Sequence, residues 1–306
     1  MARPHFNAPV AHNGYRWWYV DAVSDDGRSG LTIIGFVGSV FSPYYRRARG
    51  RGVGDPENHC AINVALYGNT KRWAMTERGN AYVERNEVSF RVGPSSMTWD
   101  DAGLTIDINE RCMPIPRSLI GTVRFLPDTL YDAPVGLDGQ GRHFWQAVAP
   151  HGRVEVKFQN PGLSWSGNAY NDMNWGSEPL EDGFRHWTWS RASTATGTDV
   201  LYDVTRRDGS QFCFGRRFAG GIVSERSVPV AHPLRKGIWG MPRIVHSEAK
   251  PELLATLEDA PFYTRNHVRL RLDGKNCEAY HESLSLDRFI HPVTQLMLPF
   301  RIPRRA

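Results

Sequence analysis

The sequence of 306 residues lacks the long apolar runs and helical patterns that mark several large classes of protein. Its longest apolar run, Leu31–Phe41, is about half of the roughly 20 residues that a membrane-spanning helix needs. No window shows a 3.6-residue apolar stripe, and 29 Gly and 20 Pro are spread along the chain. These features exclude a coiled coil and a transmembrane helix, and the 11% aromatic content excludes a disordered chain.

Cysteine is scarce and is not paired in the sequence. Cys60, Cys112, Cys213 and Cys277 are too far apart for any CxxC pair, which excludes a small disulfide scaffold. Residues 1–13 contain no apolar stretch of the kind found in a signal peptide. We therefore expect reduced thiols and a cytoplasmic location.

The sequence also lacks a strong excess of charge of either sign. Its 37 Lys and Arg are nearly balanced by 32 Asp and Glu, which leaves a net charge of +5. Nucleic-acid-binding proteins usually concentrate their basic residues in a stripe, so we expect no nucleic-acid partner. Two basic clusters stand out, residues 44–51 and 301–305. They fit either solvated loops or a surface that docks on anionic lipid, where each basic residue adds about 1 kcal/mol.

Apolar and polar side chains alternate with a period of two residues in many segments of the sequence. This alternation occurs at residues 62–66, 88–92, 104–108, 154–158 and 268–272, and it predicts half-buried antiparallel strands. Asp-Gly pairs predict hairpin turns at 26–27, 138–139, 182–183, 208–209 and 273–274. The chain is therefore predicted to be all-β, with roughly sixteen to twenty strands.

That number of strands favours two β units over one very wide barrel. Two aromatic-rich segments, residues 15–19 and 184–189, are each followed by a turn and an apolar strand, which favours a duplication. We place the boundary in the turn-forming residues 159–162. The predicted domains are residues 1–160 and 161–306, with the active site between them or near their junction.

Templates for nucleotide, metal and hydrolase chemistry do not fit the sequence. The Gly35-x-x-Gly38 pattern lacks both the strand–helix context and the lysine of a phosphate loop. There is no HExxH motif, and His143 and His186 have no partners at metal-ligand spacing. No serine lies in a G-x-S-x-G motif, although a triad assembled from distant residues stays open. We expect no metal.

One aromatic and acidic stretch remains as a candidate for chemistry. His143 and Trp145 share one face of a strand, Tyr170 and Asp172 share one face of another, and Trp175 lies just past its end. Rings around Asp172 would bury its carboxyl group, and such burial raises a carboxyl pKa toward that of a proton donor at neutral pH. Spacing alone also allows the more common structural arrangement, in which Asp172 accepts turn hydrogen bonds while the rings form part of the core.

Longer motifs resemble those of the carotenoid 1,2-hydratase family, also called hydroxyneurosporene synthase. The matching segments are residues 15–22 (YRWWYVDA), 38–45 (GSVFSPYY), 58–68 (NHCAINVALYG), 167–172 (GNAYND) and 185–187 (RHW). The resemblance extends over residues 14–290 and is carried by motifs long enough to be specific.

The resemblance implies a pair of lipocalin-like β units related to an AttH-type domain. It implies that water is added, without a cofactor, across the terminal C1=C2 bond of an acyclic carotenoid such as neurosporene or lycopene. The family acts in the spheroidene and spirilloxanthin branch of pigment synthesis in purple phototrophic bacteria. The residues implicated in the family correspond here to His143, Trp145, Tyr170 and Asp172.

These residues suggest roles in the reaction. Asp172 would protonate C2 and leave a tertiary cation at C1, which water then captures. Trp145, together with Trp175, would offer ring faces to the cation. Tyr170 would orient the acidic proton, and His143 would take a proton from the water.

Trp17 and His186 are further candidates for contact with the substrate. Trp17 and Trp18 point to opposite faces of their strand, so we expect one to line an apolar cavity and the other to pack in the core. His186 lies in a segment that matches the family, although an isolated histidine is more often a core residue.

Two other functions remain open on the sequence. One is a non-catalytic, lipocalin-like carrier of a carotenoid or another lipid, and the other is a cyclase or isomerase in which an internal alkene captures the cation. The sequence does not determine the oligomeric state. Because a carotenoid is insoluble in water, we expect peripheral contact with the photosynthetic inner membrane. Residues 41–51 would make that contact, with Tyr44 and Tyr45 at the interface.

Overall fold

The computed structural model describes residues 4–194 and 197–305, and it consists mainly of curled antiparallel sheets. The prediction of an all-β protein is therefore confirmed. The chain forms two compact units. Residues up to 179, together with those from 296 onward, form unit 1, and residues 180–295 form unit 2.

The strands of unit 1 are β1 (Tyr15–Ser24), β2 (Ser29–Val37), β3 (Ala61–Gly68), β4 (Arg72–Met75), β5 (Glu77–Arg78), β6 (Val83–Arg85), β7 (Ser89–Val92), β8 (Ser95–Trp99), β9 (Leu104–Arg111), β10 (Ser118–Pro127), β11 (Val135–Gly136), β12 (His143–Asn160), β13 (Leu163–Gly176) and β23 (Arg304–Arg305). Its helices are α1 (Pro43–Arg49) and 3-10 turns at Pro56–Asn58, Asn80–Tyr82 and Leu298–Phe300. The main sheet runs β4-β3-β2-β1-β13-β12-β10-β9-β8-β7-β6, with β11 on β12, and β5 pairs with β23 in a separate parallel ladder.

Unit 2 contains α2 (Leu180–Gly183), β14 (Phe184–Thr194), β15 (Gly197–Arg206), β16 (Gln211–Ala219), β17 (Ile222–Arg226), β18 (Ala231–Pro233), β19 (Ile244–His246), β20 (Glu252–Asp259), β21 (Tyr263–Leu272), β22 (Lys275–Ser285) and α3 (Leu286–Phe289). Helix α4 (Pro292–Met297) follows. The main sheet runs β17-β16-β15-β14-β22-β21-β20, and β18 and β19 form a two-stranded sheet. None of the helices among the described residues is long and apolar enough to cross a membrane.

The two aromatic-rich segments occupy equivalent places in the two sheets. Strand β1 begins the run β1-β2-β3-β4, and β14 begins the run β14-β15-β16-β17. On its other side, each pairs with the second strand of a later hairpin, β13 in unit 1 and β22 in unit 2. This repeated order is what the predicted duplication requires.

The boundary between the units differs from the prediction of 1–160 and 161–306. Residues 159–162 form the turn of the long β12–β13 hairpin, so a cut there would separate two paired strands. The first unit instead continues to residue 179, and the last residues of the chain return to it. Clustered turn residues mark tight hairpins as well as linkers, and this explains the difference.

Most of the predicted turns are present. At the turn between β21 and β22, Asp273 and Gly274 have φ values of 50° and 70°, as a two-residue hairpin turn requires. Gly27 and Gly209 also have positive φ between paired strands. Asp182-Gly183 was predicted as a hairpin turn but ends the short helix α2 instead.

The core of unit 1 lies on one face of its sheet. Trp18 packs there, with its ring 4.7 Å from that of Phe6 and 5.3 Å from that of Phe90. The opposite face of β1, which carries Tyr15, Trp17 and Tyr19, is buried as well. Burial of both faces of this strand places aromatic and polar side chains together in a desolvated region outside the core.

The segment predicted to meet the membrane is only partly exposed. Ser42 caps helix α1 by accepting hydrogen bonds from the backbone N–H groups of Tyr44 and Tyr45. Tyr45 is fully buried and its hydroxyl donates to the Gly14 carbonyl at 2.7 Å, so the prediction that Tyr45 lies at a membrane interface is wrong. Tyr44 is half-buried.

The C-terminal basic residues are also held by the fold. Arg301 lies over the ring of Trp73 at 4.2 Å, and Arg304 pairs with the buried carboxylate of Glu77. Of the tail arginines in the described residues, only Arg305 is exposed. The tail therefore does not form a free basic patch.

Candidate active site

The register of three neighbouring strands brings most of the predicted site residues onto one face of unit 1. Asn174 of β13 lies opposite Trp145 of β12 and opposite Trp17 of β1. Asp172, two residues earlier on the same face of β13, lies opposite Tyr19. Alternation along each strand then points these side chains to the same side of the sheet.

The carboxyl group of Asp172 is held by two aromatic side chains. The indole N–H of Trp145 donates to Oδ2 at 2.9 Å, and the hydroxyl of Tyr170 donates to the same oxygen at 2.9 Å. Asp172 is only 4% exposed and lies in the middle of β13, not in a turn. Both hydrogen bonds therefore go to one carboxyl oxygen, Oδ2.

His143 forms a second hydrogen-bonded group on the same face. Its Nε2 lies 2.9 Å from the carboxylate of Glu178, and its Nδ1 lies 2.9 Å from the hydroxyl of Tyr15. Because a carboxylate only accepts, Nε2 carries the ring proton and the Tyr15 hydroxyl donates to Nδ1. Burial lowers the pKa of His143, and the hydrogen bond with Glu178 opposes that effect in part. The imidazole is therefore neutral near pH 7.

His143 is separated from Asp172 along the sheet. It lies opposite Gly176, four residues beyond Asp172 on β13, or about 13 Å along the strand. Tyr15 lies opposite the same Gly176 and stacks on Trp17, with ring centroids 5.0 Å apart. Tyr15 thus connects His143 with Trp17 on this face of the sheet.

Trp175 does not belong to this face. It lies three residues from Asp172 and therefore points to the other side of β13, where it stacks on Phe144 at 5.2 Å and packs against the core. The guanidinium of Arg16 lies 5.1 Å from its ring. Trp175 is therefore not placed to offer its ring, together with Trp145, to a cation beside Asp172, as the sequence had led us to expect.

The structure resolves the alternative between Trp17 and Trp18. Trp18 is part of the core cluster, whereas Trp17 lies on the face of Asp172. His186 lies in unit 2, on β14, and its Nε2 has no hydrogen-bond partner among the described residues. Burial lowers the pKa of His186.

The sequence reasoning missed a second tyrosine–aspartate pair. Tyr19 donates its hydroxyl to Oδ2 of the fully buried Asp21 at 3.1 Å, in the same way as Tyr170 donates to Asp172. The rings of Tyr19 and Tyr170 meet edge to face at 6.3 Å. The repeated Tyr-x-Asp spacing was the available signal, because period two places the hydroxyl beside the carboxyl.

Comparison with known proteins shows which family the chain belongs to. The model of the family described as carotenoid hydratase CrtC matches residues 33–306. The chain belongs to the carotenoid hydratase family. It is 51% identical to an acyclic carotenoid 1,2-hydratase of Thiocapsa roseopersicina and 47% identical to one of Rubrivivax gelatinosus. These alignments cover 98% and 99% of this chain and 76% of each relative.

Solved structures support the fold. A crystal structure described as an AttH, from Nitrosomonas europaea, superposes with a TM-score of 0.58 at 17% sequence identity. The superposition covers 92% of this chain and 99% of the chain in that crystal structure. The comparisons confirm both the family and the lipocalin-like, AttH-like fold predicted from the motifs. Because the relatives are named as hydratases, they also confirm that this chain is an enzyme.

Proposed function

We propose that this chain is an acyclic carotenoid 1,2-hydratase that adds water to the terminal C1=C2 bond without a cofactor. The observation that carries the proposal is the buried carboxyl group of Asp172, held by Trp145 and Tyr170 in a member of the carotenoid hydratase family. Relatives that are identical to this chain at about half of their aligned residues are named acyclic carotenoid 1,2-hydratases. A carrier would not require an acid positioned in this way.

Protonation of the alkene is the difficult step of such a reaction. Asp172 would give its proton to C2, while the π electrons form the new C–H bond and leave a tertiary cation at C1. The bonds from Trp145 and Tyr170 strengthen as Asp172 becomes a carboxylate, so they favour the transition state over the ground state. The ring of Trp145 would also stabilise the cation, by about 0.5–2 kcal/mol.

Water then bonds to C1 and must lose a proton. We assign that proton to His143, which lies about 13 Å from Asp172 along β13 and would therefore receive it through intervening water molecules and through Tyr15, whose hydroxyl donates to Nδ1. As Tyr15 passes its proton to the ring, it takes one from the nearest of these waters. Glu178 stabilises the resulting imidazolium, and its side chain is 20% exposed, which gives the proton a route to solvent. Trp17, stacked on Tyr15, would provide an apolar wall for the polyene.

Asp172→Asn tests the assignment, because it preserves the shape of the side chain and removes the acid. Wild-type protein incubated with lycopene or neurosporene in heavy-oxygen water should give a product heavier by one labelled water. The Asp172→Asn variant should give almost none, while Asp107→Asn, at an exposed aspartate of β9, serves as the matched control.

Each outcome of this experiment separates one function from the others. An unlabelled isomer of unchanged mass would indicate a cyclase or isomerase. Bound but unchanged carotenoid would indicate a carrier. Hydration by Asp172→Asn at the wild-type rate would show that another group supplies the proton.

A water-insoluble substrate also implies a membrane partner, and we propose peripheral association with the photosynthetic inner membrane. Arg47 in helix α1 and Arg51 just after it are exposed, as is Val53 at 63%. In unit 2, Ile238 is 96% exposed and is followed by the exposed Trp239, an apolar pair suited to insertion between headgroups.

Flotation with anionic vesicles tests this association. The wild-type protein should float with the vesicles, and Ile238→Asp should shift it toward the soluble fraction. Ile115→Asp, at another exposed isoleucine, serves as the matched control. Wild-type protein that stays wholly soluble would refute the proposal.

A further inference from the structure

Three side chains of metal-ligating type meet in unit 2, and none of them belongs to the Asp172 group of unit 1. Asp203 of β15 and Cys213 of β16 are direct cross-strand partners, and His246 ends β19. Nε2 of His246 lies 3.1 Å from Oδ2 of Asp203 and 3.8 Å from Sγ of Cys213. The three atoms all lie within 4.8 Å of one another. Carboxylate, thiol and imidazole therefore converge on one point.

The orientation of the imidazole distinguishes this group from a catalytic triad. Nδ1 of His246 lies 2.8 Å from the carbonyl oxygen of Pro229, so it carries a proton and donates. Cys213 and Asp203 both face the other nitrogen, Nε2. A nucleophile–histidine–aspartate triad uses one nitrogen for each partner. A metal-binding histidine instead turns one nitrogen to the ion and donates the other N–H to a group behind it, often a backbone carbonyl.

The distances agree with a shared ion. For a tetrahedral zinc site, bonds of about 2.0 Å to N and O and about 2.3 Å to S place N and O about 3.3 Å apart, and N and S about 3.5 Å apart. The observed separations of 3.1 and 3.8 Å lie within a few tenths of an ångström of these values. Cys213 is exposed, so a fourth position can be reached by water.

We propose that Asp203, Cys213 and His246 bind a zinc-class divalent cation, with water as the fourth ligand. Binding would form bonds from the metal to oxygen, sulfur and nitrogen and release the thiol proton and the proton on Nε2 to solvent. The ion would tie the β18–β19 hairpin, whose strands have only three residues each, to the main sheet. Hairpins of this size are marginal without such support.

Cobalt(II) provides a direct test, because its spectrum reports both the thiolate ligand and the geometry. Addition of cobalt to the chelator-treated full-length protein should produce a thiolate-to-cobalt charge-transfer band and the intense visible bands of a tetrahedral site. Stoichiometric zinc should remove both. Cys213→Ser should lose the charge-transfer band, while Cys277→Ser, at a half-buried thiol outside the group, should keep it.

A second measurement uses stability and is independent of hydratase activity. Zinc should raise the Tm of the wild-type and Cys277→Ser proteins but not that of His246→Gln, because only a ligand that prefers the folded state stabilises it. A wild-type protein without cobalt bands or a zinc-dependent Tm would overturn the proposal. Bands that persist unchanged in Cys213→Ser would also overturn it, because another thiol would then be the ligand.

Discussion

The two hydrogen bonds to Oδ2 of Asp172 allow a quantitative test of the acid mechanism. Tyr170→Phe removes only the hydroxyl that donates to this oxygen, and Trp145→Phe removes the indole N–H while keeping an aromatic ring. Both donors lie 2.9 Å from the same atom, so the two variants should weaken the same step by comparable amounts.

The size of the effect follows from the change in charge on the acceptor. A hydrogen bond contributes about 0.5–1.5 kcal/mol when its partners are neutral and about 1.5–3 kcal/mol when one is charged. Only the difference, about 1–1.5 kcal/mol, is realised as the acid becomes a carboxylate, and only that part lowers the barrier. Each variant should therefore lower kcat roughly five- to twelvefold. Trp145→Phe should lie at the upper end, because Phe stabilises a cation less well than Trp.

Steady-state hydration of lycopene in detergent micelles would measure these changes, with kcat and KM determined separately. We expect kcat to fall while KM changes little, because the lost bonds do not contact the substrate in the ground state. Tyr82→Phe, at an exposed tyrosine, is the matched control for loss of a hydroxyl. If both Tyr170→Phe and Trp145→Phe retained the wild-type kcat, Asp172 would not be the group that ionises in the rate-limiting step.

Two further predictions concern stability. Burial, together with the charges of nearby basic groups, lowers the pKa of His281 to about 3, so the unfolded state binds more protons between pH 6.5 and 3. The contribution of the neutral His281 to the free energy of unfolding is thus fully present above pH 6.5. It decreases on acidification, by about 2 kcal/mol at pH 5. Urea unfolding at pH 7 and 5 should show a smaller loss for His281→Asn, and an equal loss would contradict this pKa. Glu110→Gln leaves the buried Arg78 without its charged partner and should lower the free energy of unfolding by about 3–5 kcal/mol in the same assay. Glu84→Gln, in an exposed pair, should change it little, and equal effects of the two substitutions would refute the argument.

Local sequence spacing predicted part of the candidate site. Because side chains alternate along a strand, it placed His143 beside Trp145 and Tyr170 beside Asp172 without knowledge of the fold. The same rule puts Trp175 on the opposite face from Asp172, as the structure shows. The prediction that Trp175 belongs to the site was therefore wrong because the rule was not applied to it. The family motifs, and not the spacing, singled out these residues as a group.

Contacts between strands were beyond such reasoning. The bond between Trp145 and Asp172 depends on the register of β12 against β13, which involves residues far apart in the chain. The pairing of His143 with Tyr15 likewise requires both strands to be adjacent to β13. Register is set by many distant contacts at once, and no local pattern contains them.

The sequence by itself determined the all-β class, most of the hairpin turns and the family, because alternation, turn chemistry and motifs are local properties of the chain. Tertiary structure alone decided that Tyr45 is buried, that the turn at 159–162 lies within a hairpin, and that Asp203, Cys213 and His246 meet. These outcomes depend on which strands become neighbours. That choice is made by burial and pairing across the whole chain, and spacing along the sequence does not record it.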